Sequence, residues 1–225
     1  MGAFAGAGLT ACTLFTDLGG FADPEPAPSG DAGEAGPSRQ SYPATPVLDD
    51  FERPDGPAGA SWIRDTGTSG TWVVESRVLR FRQGATNDCG NGFMIWGPST
   101  FGADQEVHVR LVATPNYGTL ALRARINAAH DDWVEVSYAH ADDAAVVRQG
   151  SKAAGDPIPL VLVAGDQLGA RFLADGRVQV FVNGKVVAER ATQPASQLGA
   201  IGIMAGCAVN GAGTAIDDFG GGDLP

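Results

Sequence analysis

From residue 47 onward, apolar side chains recur at every second position along much of the chain. The segments Glu106–Leu111, Leu120–Ile126, Trp133–Tyr138, Leu168–Phe172, Arg177–Asn183 and Gly199–Met204 all alternate in this way. Successive side chains of a strand point to opposite faces, so a period of two marks strands with one face buried. Asp175-Gly176 lies between Phe172 and Val178, and Asn183-Gly184 lies between Val182 and Val186. Both dipeptides tolerate positive φ, and each predicts a hairpin closed by a two-residue turn. Roughly thirteen short strands fit the region, spaced as in a sandwich. No segment offers ten residues of helical periodicity with caps. The pattern predicts an all-β fold.

The first 46 residues read differently. Residues 19–46 repeat Pro, Gly, Ala and acidic residues with almost no large apolar side chain to bury, the composition of a disordered linker. Upstream, in residues 1–18, Leu9-Thr10-Ala11-Cys12 resembles a bacterial lipobox, which implies that Cys12 is lipidated. Eleven residues precede Cys12 and none is basic, whereas a signal peptide needs about 15–30 with a positive start. Either translation starts upstream of Met1 or the match is chance. The lipobox reading predicts an extracytoplasmic protein, held at a bacterial cell surface or outer membrane as a lipoprotein, or secreted.

Composition narrows the function. With 32 glycines and 14 prolines in 225 residues, the chain turns often, which favours short strands. A formal net charge of −11 without a basic cluster argues against nucleic acid, whose affinity rests on cations neutralising phosphates. No apolar run approaches the ~18 residues of a membrane span, so a lipid anchor is the expected route to a membrane. Besides Cys12 there are two cysteines, Cys89 and Cys207. In an oxidising compartment they form a disulfide; otherwise they are two unrelated buried thiols.

Several segments together resemble the concanavalin A-like lectin, glucanase and laminin-G superfamily. Gly165-Asp166-Gln167-Leu168-Gly169-Ala170-Arg171, Ala174-Asp175-Gly176 and Val180-Phe181-Val182-Asn183-Gly184-Lys185 look like its late strands. The opening Leu48-Asp49-Asp50-Phe51-Glu52-Arg53-Pro54-Asp55-Gly56 with Trp62, the segment Phe101–Val107 and the closing Asp217–Gly222 fit as well. The resemblance covers residues 47–225 and implies a jelly-roll β-sandwich of two antiparallel sheets. It is not specific for a ligand.

Motifs that would identify an enzyme are missing: no nucleophile elbow, Walker loop, dinucleotide fingerprint or His-Glu-x-x-His occurs. The resembled glucanases carry Glu-x-Asp-x-x-Glu on one strand, and no glutamate here stands in that pattern. Asp104 and Glu106 are nonetheless spaced two apart, ~6.5–7 Å along a strand, near what a glycosidase needs. His130-Asp131-Asp132 and His140-Ala141-Asp142-Asp143 flank a strand and are too far apart to share one ion, so they read as acidic turns. Asp49-Asp50-Phe51 and Asp217-Asp218-Phe219 begin and end the domain. If the terminal strands lie side by side, Asp49, Asp50, Asp217 and Asp218 would gather around a calcium ion, unless Arg53, backbone amides or solvent satisfy them.

Alternation also proposes a ligand face. It puts Glu106 and His108 together on one strand, Arg123 and Arg125 on the next, and Trp133 and Glu135 on the third. If these strands pair within one sheet, the six make one surface of charges and an indole suited to sugar; a crossover would separate them. The leading expectation is a non-catalytic, surface-tethered module for a glycan or surface polymer. The alternatives are a structural or adhesive protein that binds other surface proteins, and a glucanase-type glycoside hydrolase.

Overall fold

The structure, a computed structural model, describes residues 41–64, 70–83, 90–113, 118–194, 198–206 and 213–225. Among them are seventeen strands and one 3-10 turn, His140–Asp142, with no α-helix. The first six strands are β1 (Val47–Asp49), β2 (Gly56–Pro57), β3 (Trp62–Arg64), β4 (Gly70–Glu75), β5 (Val78–Gln83) and β6 (Asn91–Trp96). Next come β7 (Gln105–Ala113), β8 (Thr119–Ile126), β9 (Val134–Ala139), β10 (Ala144–Gln149), β11 (Lys152–Ala153) and β12 (Ile158–Pro159). The last are β13 (Gln167–Phe172), β14 (Arg177–Val182), β15 (Lys185–Ala191), β16 (Ala200–Gly206) and β17 (Ala215–Asp223).

They form two antiparallel sheets. Sheet A runs β15-β14-β13-β7-β17-β5-β4-β2, with β1 also paired to β17; sheet B runs β11-β10-β9-β8-β16-β6-β3, with β12 paired to β10. Alternation decides what fills the space between them. Val107, Val109 and Leu111 of sheet A meet Leu120, Leu122, Val134 and Val136 of sheet B in one continuous core. Trp62, Trp96 and Phe219 add aromatic contacts at one end, with Trp62 4.7 Å from Phe219 and 5.4 Å from Trp96, both edge-on. The expected all-β sandwich of two antiparallel sheets is what forms.

Of the two expected hairpins, one closes as anticipated. Asn183 and Gly184 both take positive φ, 49° and 77°, in the two-residue turn between β14 and β15. The other turn is longer. Leu173 N donates to Arg177 O and Gly176 N to Leu173 O, so Ala174-Asp175-Gly176 forms a three-residue loop with only Gly176 left-handed. A glycine in that third place is the usual device for such loops.

Residues 41–46, the end of the stretch read as linker, pack as a strap on the outer face of sheet A. Pro46 O accepts from Gly221 N, and the chain continues into β1 beside β17.

Candidate functional site

On sheet B, the side chains that point away from the core make a second, smaller cluster. Phe93, Ile95 and Ile126 are buried there, with Trp133, Ala200 and Met204 packed against them. The register explains the grouping: Ile95 faces Gly202, Gly202 faces Arg123, and Arg123 faces Glu135. Gly202 contributes no side chain to this row, and Ile126 Cδ1 lies 3.2 Å from where its Cβ would stand. The Arg123 guanidinium lies 4.4 Å from the Phe93 ring centroid and 4.2 Å from that of Trp133. Its Nε donates to Glu135 Oε2 at 2.8 Å, and Trp133 Nε1 donates to the same oxygen at 3.2 Å. The side chains of Arg123 and Glu135 are only 10% and 7% exposed. An ion pair so enclosed holds its geometry, and the indole is fixed at one edge.

This face runs into a cleft of about 370 Å³ that shares Ile95, Ile126 and Ala200 with the cluster. Ile63 and Leu198 stand on its sides, and Asn127 and His130 reach it from the β8–β9 turn. Asn127 builds that turn: its side chain bonds Asp131, and its backbone carbonyl accepts from His130 N at 3.0 Å.

Three of the six expected ligand residues, Arg123, Trp133 and Glu135, are therefore brought together. The other three are not. Arg125 leaves the face because β8 bulges: the pairing with β16 slips between Ala200 and Gly202, and Arg125 takes φ 55°. One extra residue reverses the facing of its successors on the strand, so Ile126 turns outward and Arg125 turns towards sheet A. There Arg125 Nε donates to Ala103 O and Nη2 to Leu173 O, and Gln105 Oε1 accepts from the Arg125 amide. Burial holds the Arg125 guanidinium below its usual pKa, against the charges of Asp104 and Asp175.

Glu106 and His108 are in the other sheet, because the connection from β7 to β8 crosses the sandwich. The expected single surface does not exist, and the strap seals this half of it. Glu106 Oε1 accepts from Ala44 N, Thr45 N and Thr45 Oγ1 at 2.7–3.0 Å, and Oε2 accepts from Arg171 Nε at 2.7 Å. Arg171 also donates to Ser41 O and lies 3.8 Å under the Tyr42 ring. His108 Nε2 sits 3.3 Å from Thr45 O, and since a carbonyl only accepts, Nε2 carries the proton. Asp104 is exposed and accepts from Ala174 N, while Glu106 is enclosed, so this carboxylate pair cannot flank a glycosidic bond.

The four aspartates do not fit calcium. Asp49 is engaged by both terminal nitrogens of Arg53, at 2.7 and 2.9 Å, and by Trp62 Nε1 at 2.7 Å. Burial pushes its carboxyl up, but the bonds from Arg53, Trp62 and the Phe51 amide together hold it below the usual range. Asp218 pairs with Arg110 at 2.8 Å, Asp217 accepts from Asp218 N, and Asp50 accepts from Glu52 N. Burial, with Asp218 beside it, raises the Asp217 carboxyl. Among the described residues no three His, Cys, Asp or Glu side chains are placed to hold a metal. Cys12, Cys89 and Cys207 lie outside the described residues.

Sequence reasoning missed Phe93, the cleft and the strap. Phe93 had a signal: in the unbroken run Phe93–Trp96, alternate side chains must leave the core, and Met94 and Trp96 are the inward pair. Tyr42 was the strap's signal, a large ring in a stretch otherwise poor in them.

No family model matches the chain, and no curated protein matches it in sequence. Solved structures do. The carbohydrate-binding module CBM66 from Bacillus subtilis is similar at 13% identity over 76% of this chain and 100% of that one, with a TM-score of 0.55. The VIP36 exoplasmic/lumenal domain in its Ca2+/Man3GlcNAc-bound form matches at 13% identity over 82% and 90%, TM-score 0.54. A Bacillus licheniformis beta-glucanase matches at 12% identity over 79% and 97%, TM-score 0.55. The fold is that of concanavalin A-like lectins and glucanases.

Proposed function

We propose that this protein is a non-catalytic carbohydrate-binding module that takes a glycan on the outer face of sheet B. The observation that carries this reading is the Arg123 guanidinium set between Phe93 and Trp133, hydrogen-bonded to Glu135, on a face that continues into the cleft. An aromatic ring offers an apolar face to sugar C–H groups, and the enclosed guanidinium–carboxylate pair holds the Trp133 ring in position for it. The lectin and carbohydrate-binding folds among the similar structures support it at the level of fold alone.

The strap adds to the proposal of a surface tether. It enters across sheet A, while the proposed ligand face is on sheet B. Lipidation at Cys12 would hold the module outside the cytoplasm.

A glycan array probed with the full chain and its Trp133→Ala variant tests the reading. The full chain retains a discrete set of glycans, and Trp133→Ala loses them at least tenfold while the melting temperature moves by only a few degrees. An array that retains nothing, or a variant that binds as well as the parent, overturns it.

A further inference from the structure

The cleft differs in chemistry from the chain around it. The protein carries a formal net charge of −11, yet among the described residues no Asp, Glu, Lys or Arg lines the cleft. Two of its walls are apolar and open to water: Ile63 is 46% exposed and Leu198 is 67% exposed. Ile63 is held by a close approach, since a Cβ on Gly97 would lie 2.9 Å from its Cγ1 and Cδ1. Ser99, Thr100 and His130 supply small hydrogen-bonding groups, beside an Asn127 whose side chain is taken up by Asp131. His130 is in the left-handed region, φ 60°, within the turn that Asn127 ties together.

Each feature narrows the occupant. A charged sugar would leave water without meeting a counter-ion. A purely apolar chain would leave the hydrogen-bonding side chains of Ser99, Thr100 and His130 without partners. A volume of about 370 Å³ is at the low end for small-molecule sites, which suits a short terminal unit rather than a long segment. Building on the glycan reading above, we infer that the cleft is a subsite for a neutral sugar residue bearing a methyl group, with the methyl against Ile63 and Leu198 and the hydroxyls towards Ser99, Thr100 and His130. The methyl comes from an acetamido group or a 6-deoxy carbon. Covering one methyl strengthens binding by about fourfold to tenfold.

The test uses the full chain with two matched pairs, N-acetylglucosamine against glucose and L-fucose against L-galactose, read by titration and saturation-transfer NMR. The expected result is a four- to tenfold tighter Kd for the methyl-bearing member of at least one pair, with the strongest transfer on its methyl protons; which pair responds identifies the methyl's source. Ile63→Ser and Leu198→Ser, both on exposed side chains, erase that preference, so that the two members of the responding pair bind equally. Equal affinity within both pairs, or a preference that survives both substitutions, overturns the inference and leaves the glycan reading standing if Trp133→Ala still abolishes retention. An array that retains nothing, together with no sugar bound in either pair, overturns both.

Discussion

Glu106 and Arg171 face each other on neighbouring strands and meet at 2.7 Å, both side chains 0% exposed. The strap completes the pair, with the Thr45 hydroxyl and two amides on the carboxylate and the Tyr42 ring over the guanidinium. Taking two charges out of water is costly, and removing one partner strands the other. Arg171→Met is expected to destabilise the fold by about 3–5 kcal/mol, and Glu106→Leu with Arg171→Met by markedly less than either alone. Denaturant unfolding of the three variants measures this; additive losses would show that the two charges are not coupled.

His108 gives the fold a pH dependence. Burial holds its imidazole below the ordinary 6.5, although the Thr45 carbonyl and the charges of Glu106 and Asp218 pull the other way. The unfolded chain therefore takes up a proton before the folded one does. Stability is complete above about pH 6.5 and is lost as pH falls from there towards the folded value. His108→Gln should flatten the slope between pH 7.5 and 5.5. A histidine NMR titration placing His108 at or above 6.5 refutes the prediction.

The ladder between β6 and β16 ends with Asn91 facing Gly206. Cys89 stands two residues before Asn91, and Cys207 directly follows Gly206. Protein made in an oxidising compartment should yield a Cys89–Cys207 peptide in a non-reducing digest. Its reduction should cost up to about 4.7 kcal/mol in the chain-entropy picture. Full alkylation of both thiols in the folded, unreduced protein would exclude the bridge.

Gly169 is fitted to Phe181 across β13 and β14. A Cβ there would lie 2.0 Å from Phe181 Cζ, and that ring is wholly buried under Tyr42. Gly169→Ala must displace the ring and the strap above it, at an expected cost of about 1–3 kcal/mol. The measurement is the shift in unfolding midpoint, and none at all would mean that ring and strap yield freely.

Much of the fold was legible in sequence, because alternation and turn chemistry are local. A strand's inward face follows from its own residues, as Val107, Val109 and Leu111 show, and Asn183-Gly184 carries its turn in two residues. Trp133 and Glu135 shared a face for the same reason, and their grouping with Arg123 needed only adjacent strands to pair. Three things were decided by tertiary structure alone. The crossing from β7 to β8 divided the six expected ligand residues between two sheets, since strand order is a property of the whole sandwich. A single bulged residue turned Arg125 inward and Ile126 outward, where strict alternation paired Arg125 with Arg123. The buried charge of Glu106 found its partners in Arg171 and Thr45, 65 and 61 residues away in sequence. Periodicity fixes which way a side chain points relative to its own strand; only packing determines what it meets there.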